Sequence, residues 1–223
     1  MNILLKISIW AVPVLFSIVI HEVSHGWMAY RLGDRTAKTM GRLTLNPLPH
    51  IDPVGTIILP LIMIILGGPV FGWAKPVPFN PYLFNPKVDI KKGTMMVALA
   101  GPLSNFTMAF AASFLFVFAQ KFLSALPGLI YISLLQLAHA LILINLILGS
   151  FNLVPIPPLD GSKVLMGLLP NKYAAHYLML ERYGFVLIMI LLASGALSGI
   201  IMGPVRFLYR VFHLIPASLV GLI

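Results

Sequence analysis

The chain has 223 residues, of which 59% are hydrophobic and only 9% are charged. About a quarter of the residues of a soluble domain are usually charged, so this composition excludes an ordinary soluble domain and indicates one membrane domain over residues 1–223. The net charge of +9 does not indicate nucleic-acid binding, because the lysines and arginines lie in short segments between apolar runs. There are no cysteines, which excludes disulfides and thiolate metal sites.

The apolar run over residues 3–32 predicts a first helix long enough to cross the membrane. Several basic residues follow its end, whereas only Lys6 lies near its start. The positive-inside rule therefore predicts that Met1 is outside and that residue 33 is in the cytoplasm. The run has no small-residue cleavage site, so we expect a retained helix rather than a signal peptide.

The second half of this helix contains His21-Glu22-Val23-Ser24-His25, an H-E-x-x-H motif. Residues four apart share one helix face, so His21 and His25 can bind one metal ion. Glu22 is then beside the metal without being a ligand, where it can accept a proton from water. The alternative is two ordinary histidines one turn apart, but a glutamate between them in an apolar helix is costly without a function.

The next segment, residues 41–53, contains three prolines that exclude a helix, and residues 42–45 alternate as a short strand does. His50 and Asp52 lie in this segment. They could form local turn and cap hydrogen bonds, or they could orient the metal ligands by hydrogen bonding to the ligand side chains.

Residues 54–66 are apolar but too short to span, which predicts a re-entrant or half-spanning helix. Residues 70–86 are rich in proline and aromatic residues, so we expect an extended segment that lines a cavity or lies at the interface. A small β-hairpin-like region with exposed edges at 41–46 and 70–79 is predicted here.

Three further full spans are predicted by apolar runs at 93–119, 129–151 and 183–202, followed by an interfacial helix over 203–223. The expected fold is therefore an all-α polytopic membrane protein with four full transmembrane helices. Asn105, within the second span, is expected to face the protein, either to form a hydrogen bond between packed helices or to act as a site residue. His139 in the third span has no motif partner and is equally open between packing and ligation.

Asp160 follows a proline-rich stretch that unwinds the third span near its inner end. Its carboxylate is thereby presented at about the depth of His21 and His25, as the third ligand that a two-histidine site with an open position needs. The alternative is that Asp160 caps a helix beginning at Ser162. Two histidines, one aspartate and no cysteine favour zinc.

This donor set predicts hydrolysis of an amide bond by a metal-activated water, with Glu22 as the base. A helical substrate hides its carbonyls in its own hydrogen bonds, so it must unwind and pair with an exposed strand edge. The competing hypotheses are a membrane protein that transports or handles metal ions, and a non-proteolytic relative that binds transmembrane segments.

The stretches H-E-V-S-H at 21–25 and N-L-V-P-I-P-P-L-D-G at 152–161 together resemble the site-2 protease family of intramembrane zinc metalloproteases, peptidase M50. Three more stretches resemble its compact prokaryotic branch: G-R-L-T-L-N-P followed by H-I-D-P-x-G-T (41–56), G-W-A-K-P-V-P (72–78) and A-G-P-L-S-N (100–105).

This resemblance implies one zinc per chain bound by His21, His25 and Asp160, with Glu22 catalytic. It also implies that Asn152 lies near the substrate or oxyanion and that Pro158 shapes the loop before Asp160. We add Asn105 to Asn152 as a candidate substrate-binding residue.

The expected protein is a multi-pass enzyme of the cell membrane, with its active site nearer the cytoplasmic side. Its catalytic core covers about residues 3–165, and a C-terminal span and interfacial helix cover 183–223. The expected partners are the lipid bilayer and a membrane-protein substrate bound as an extended peptide, with no nucleic acid.

Overall fold

The computed structural model describes residues 3–65, 67 and 72–221, and this part of the chain is helical with connecting turns. The all-α class predicted from the sequence is confirmed. Short 3-10 turns lie at Leu48–His50 and Pro81–Leu83, and a wider helical turn lies at Pro53–Ile58. The α-helices are α1 (Ile3–Arg31), α2 (Thr36–Thr39), α3 (Leu59–Ile65), α4 (Ile90–Phe122), α5 (Gly128–Asn152), α6 (Asp160–Leu168), α7 (Asn171–Leu178), α8 (Glu181–Ala193) and α9 (Ala196–Val220).

Four helices of the described part are long and apolar enough to cross a membrane: residues 9–31 of α1, then α4, α5 and α9. The first three coincide with the predicted spans at 3–32, 93–119 and 129–151. Helices α1, α4 and α5 pack against one another, and α9 packs on α4 and α5. The number of helices able to span a membrane therefore equals the predicted number of spans, whereas the fourth has different boundaries.

The span predicted at 183–202 is wrong because a helix break divides it. Helix α8 ends at Ala193, and Gly195 has φ of 74°, a left-handed conformation that residues with a side chain disfavour. A new 25-residue helix, α9, then begins at Ala196 and continues through the residues predicted as a separate interfacial helix, 203–223. The boundaries predicted for the interfacial helix are therefore also wrong, since its residues up to Val220 continue α9, a helix of spanning length.

The predicted β-hairpin-like region is wrong as well, because residues 3–65, 67 and 72–221 contain no strand. Residues 43–45 of the first predicted edge lie in a bend, and residues 70 and 71 of the second predicted edge lie outside the described residues. Residues 72–80, hereafter the extended segment, belong to no helix or strand, and Pro76 and Pro78 restrict the residues before them to an extended backbone. The N–H groups of Trp73 and Lys75 donate instead to single turn carbonyls, those of Gly55 at 3.1 Å and His50 at 2.9 Å.

Buried charges hold the extended segment beside the end of α1. The guanidinium of Arg42 is buried and donates to the carbonyls of Lys75 at 2.7 Å and Pro76 at 3.2 Å. The carboxylate of Asp34, also buried, accepts from the backbone N–H of Asn80 at 2.6 Å. Hydrogen bonds to charged groups contribute more than neutral ones, so the segment is fixed near its middle and at its C-terminal end.

The short apolar element predicted at 54–66 is helical over Pro53–Ile65, and Leu66 lies outside the described residues. Its length is below that of a full span, so a re-entrant or half-spanning helix remains a prediction. Asp52 caps its first turn, because its carboxylate accepts from the N–H groups of Val54 at 3.0 Å and Gly55 at 2.7 Å. This contact supports the turn-and-cap interpretation of Asp52 over the interpretation that it orients the metal ligands.

Candidate metal centre

His21, His25 and Asp160 meet in the interior of the helical bundle. The two histidines lie one turn apart on α1, and Asp160 is the first residue of α6, at the end of the proline-rich loop after α5. Their exposed fractions are 5%, 8% and 8%. The two Nε2 atoms are 3.0 Å apart, and each is 3.1 Å from Oδ2 of Asp160. No side chain caps α6 at its N-cap residue, Leu159, so the geometry does not support the alternative in which Asp160 is a helix cap.

The outer nitrogens of both rings are fixed as proton donors. Nδ1 of His25 lies 2.7 Å from the carbonyl oxygen of Val97, which can only accept, so Nδ1 must donate. Nδ1 of His21 lies 2.6 Å from Oδ1 of Asn105. A neutral imidazole with its proton on Nδ1 has a lone pair on Nε2, which is the form that binds a metal ion.

The polarity of the Asn105 amide is set by a buried chain of hydrogen bonds. Asn145 donates through Nδ2 to the carbonyl of Leu141 at 2.8 Å and to the hydroxyl of Ser17 at 2.8 Å. Because a carbonyl only accepts, Oδ1 of Asn145 must face Asn105, whose Nδ2 donates to it at 2.8 Å. Oδ1 of Asn105 is then left to accept from His21. We call these three side chains, Ser17, Asn105 and Asn145, the amide relay; all are 0% exposed.

Three lone-pair-bearing atoms therefore face one another at the centre of the cluster. Such an arrangement is stable only with a proton or a cation between the atoms. Two imidazole nitrogens and one carboxylate oxygen match a zinc site that keeps one position open. Gly101 of α4 supports this fit, because a Cβ at that position would collide with the rings of His21 and His25. The residues present thus suit a zinc ion.

The pKa of the Asp160 carboxyl depends on the two rings beside it. Burial alone raises this pKa, but when His21 and His25 also carry a proton on Nε2, their hydrogen bonds and positive charge outweigh burial and hold the pKa of Asp160 well below its ordinary value. An ionised carboxylate is the form that binds a metal ion.

Glu22 lies beside the cluster and points toward the extended segment. Its Oε2 accepts from the N–H of Val77 at 2.8 Å. Pro76 and Pro78 flank Val77 and have no N–H of their own, and a following proline restricts Val77 to an extended backbone. The sequence Pro-Val-Pro therefore directs one backbone donor at the Glu22 carboxylate and leaves its other oxygen available.

Two neighbouring cavities open onto this site. A cavity of about 160 Å³ is lined by the three candidate ligands together with Glu22, and also by Asn152, Pro158 and Lys163. A second cavity of about 390 Å³ shares four lining residues with the first, His21, Glu22, Asn152 and Pro158. The rest of its wall is mostly apolar and includes Trp73, Ala74, Leu148, Phe151, Phe185 and Ile188.

The two asparagines predicted to bind substrate occupy different environments. Asn152 lines both cavities and donates through Nδ2 to the carbonyl of Leu148 at 3.1 Å, which leaves its second amide hydrogen available. Asn105 is buried behind His21 and lines neither cavity. Its position favours orientation of His21 over direct contact with a substrate.

Sequence reasoning missed two members of the amide relay, Asn145 and Ser17. The position of Asn145 in an apolar span indicates that its side chain is hydrogen-bonded within the protein, because an unpaired amide in lipid is unfavourable. The hydroxyl of Ser17 gave no such signal. His139, for which the sequence allows packing or ligation, lies with its ring nitrogen Nδ1 3.2 Å from the hydroxyl of Tyr209. Nε2 of His50 donates to the carbonyl of Thr44 at 3.0 Å, a local turn contact.

Comparison with known proteins identifies the family of this chain. The model of peptidase family M50 matches residues 9–192. "Putative zinc metalloprotease YwhC" of Bacillus subtilis is 37% identical over 183 residues, covering 82% of this chain and 79% of that protein. "Putative zinc metalloprotease Rip2" of Mycolicibacterium smegmatis is 30% identical over 82% of this chain and 66% of its own length. "Zinc metalloprotease MJ0392" of Methanocaldococcus jannaschii is 26% identical over 85% of this chain and 44% of its own. No solved structure gives a significant match.

The fold and the site together define a metal-dependent hydrolase whose reactive groups lie among membrane-spanning helices. The chain belongs to peptidase family M50, since the family model matches most of its length. It is an intramembrane zinc metalloprotease, and the comparisons do not favour the alternative of a metal-transporting protein.

Proposed function

We propose that this enzyme cleaves peptide bonds in or beside the transmembrane segments of other membrane proteins. The main observation is the position of Glu22, whose carboxylate lies next to the buried His-His-Asp cluster and lines both cavities. A carboxylate at that point can exchange protons with a water molecule and with a peptide that enters from the larger cavity.

His21, His25 and Asp160 would hold a single zinc ion. When bound, zinc supplies a Lewis acid that acidifies water and stabilises negative charge on a carbonyl oxygen. Glu22 accepts the proton of the attacking water at its carboxylate and later returns it to the departing amine. Asn152 donates its available amide hydrogen to the substrate carbonyl oxygen, which becomes more negative during attack.

The substrate pairs with one edge of the extended segment. In extended backbone, alternate residues direct their N–H and C=O groups to opposite edges. Trp73, Lys75 and Val77 use one edge for contacts within the protein. Ala74 lies on the other edge and lines the larger cavity, and its N–H and C=O have no partner among the described residues. A locally unwound substrate needs such a pair for its own freed backbone groups.

The apolar wall of the larger cavity suits a hydrophobic side chain of the substrate. Trp73 of the extended segment and Phe185 of α8 meet edge to face across this wall, with ring centroids 6.2 Å apart. We place the enzyme in the cell membrane with its site nearer the cytoplasmic side, because Arg31 ends α1 and Arg35 and Lys38 follow it, at the end nearer the motif.

A reconstituted cleavage assay tests the function. We expect the purified protein in lipid vesicles to cut a labelled transmembrane peptide, and a peptide with central glycines faster than a polyleucine one, because the latter unwinds less readily. Removal of metal by a chelator should abolish cleavage, and zinc should restore it whereas magnesium should not. Cleavage that persists in metal-free protein would contradict the proposed mechanism.

The Ala74→Pro variant tests the proposed edge. Proline removes the N–H of residue 74 but tolerates an extended backbone, so we expect KM for the peptide to rise about five- to tenfold, the contribution of roughly one hydrogen bond. Zinc content should stay unchanged. Ala74→Val is the matched control, because it enlarges the side chain but keeps the N–H. Equal KM values for the proline and valine variants would refute pairing at Ala74.

The amide relay is tested by zinc affinity. Asn145→Leu removes the acceptor that orients Asn105, so the Asn105 amide can flip and His21 loses its fixed tautomer; we expect zinc to bind about 10- to 100-fold more weakly. Asn145→Asp keeps an acceptor for Asn105 and should bind zinc much better than the leucine variant. Ser113→Ala is the control, since Ser113 is equally buried but bonds only within α4, to Phe110. Wild-type zinc affinity in Asn145→Leu would show that the relay does not orient His21.

A further inference from the structure

Two arginines lie in the middle of α9, far from either end of a helix of spanning length. Arg206 and Arg210 are its eleventh and fifteenth residues out of 25. Each is ten residues, or about 15 Å, from the nearer helix end. Tyr209 between them contacts His139, which lies near the middle of α5. The arginines are therefore central with respect to the neighbouring span as well.

The two guanidinium groups face away from the protein. They are four residues apart, so they share one face of α9, and both are exposed. Among the described residues, neither has a hydrogen-bond or ion-pair partner. An arginine near a helix end can extend to the lipid headgroups, but one at the centre of a span is costly unless a partner neutralises it.

The chain itself cannot supply that partner, even from a second copy. It has six acidic residues, and Glu22 and Asp160 belong to the active site. Of the others, three make local backbone contacts at helix or turn ends, and one lies in the first turn of α8: Asp34, Asp52, Asp89 and Glu181. No acidic residue of the described chain is thus on the outer face of a spanning helix. A symmetric dimer through this face would also bring like charges together.

The same face of α9 leaves room for another helix. Gly199 and Gly203 lie about two turns and one turn before Arg206, and apart from the neighbouring backbone of α9 itself no atom of the described chain lies within 4 Å of a Cβ built on either. Small residues at this spacing allow two membrane helices to approach closely. We propose that the Arg206–Arg210 face of α9 binds a transmembrane helix of a partner membrane protein that has an aspartate or glutamate near its centre.

Helix association in vesicles tests this inference independently of proteolysis. The full-length chain with Glu22→Gln, which is expected not to cut its ligand, is labelled and reconstituted in phosphatidylcholine with a labelled leucine-alanine transmembrane peptide. Energy transfer should show roughly tenfold tighter association when the central residue of the peptide is Glu than when it is Gln. The Arg206→Gln/Arg210→Gln variant should lose this preference, and Arg206→Glu/Arg210→Glu should prefer a peptide with a central Lys.

The control variant, Arg35→Gln/Arg182→Gln, removes two exposed arginines outside the spans and should keep the preference for Glu. The inference is overturned if the parent chain binds both peptides equally, or if the preference survives in Arg206→Gln/Arg210→Gln. It is also overturned if phosphatidylglycerol in the vesicles abolishes the preference, because lipid phosphates would then be the partners of the arginines.

Discussion

Glu22→Gln is expected to lower kcat for peptide cleavage by about 10²- to 10⁴-fold, the usual contribution of a general base, while zinc content stays at the wild-type level. A glutamine cannot accept the proton of the attacking water. Its amide oxygen can still accept from the N–H of Val77, which donates to Glu22 at 2.8 Å. The variant therefore separates proton transfer from the structural contact, and the extended segment should remain in place.

The matched control for this experiment is Glu181→Gln, which removes an exposed carboxylate from the first turn of α8. It should cleave the peptide at the wild-type rate. If Glu22→Gln cleaves as fast as Glu181→Gln, another group accepts the proton and Glu22 serves only to hold Val77. If Glu22→Gln loses zinc as well as activity, Glu22 contributes to metal binding and the proposed division of roles is wrong.

The part of the candidate site that depends on contacts between residues close in sequence could be predicted from the sequence. The spacing of His21 and His25 requires only that the segment be helical. Asp160 is 139 positions from His21, and it was found because a two-histidine site lacked a third ligand. No comparable rule, neither residue spacing nor a missing ligand, predicts the amide relay. Whether Asn145 and Ser17 face each other depends on how α1, α4 and α5 are rotated about their axes when they pack. The hydrophobic periodicity of the sequence does not reveal these rotations.

The errors in the predicted fold have similar physical origins. Residues 183–202 contain no charged residue, so hydropathy could not detect the helix break that Gly195 introduces with its φ of 74°. Arg206 and Arg210 then suggested an interfacial helix, because charges inside a span are costly. The extended segment has the composition of a strand edge, but Pro76 and Pro78 cannot donate to a ladder. Its backbone pairs with turns and with Glu22 instead.

Asp160→Ala is expected to lose zinc, with affinity at least about 10²-fold lower, because only two of the three ligands would remain. Cleavage should fall in proportion to the zinc occupancy.

The control variant for this experiment is Asp89→Ala. Asp89 caps α4 by accepting from the N–H of Lys92 at 2.8 Å, so its loss should cost about 1 kcal/mol of stability with zinc affinity unchanged. Asp160 makes no cap contact at the start of α6. Loss of a ligand should therefore lower zinc affinity, whereas loss of a cap should lower the thermal stability and leave zinc affinity unchanged. Full zinc binding by Asp160→Ala would show that Asp160 is not a ligand.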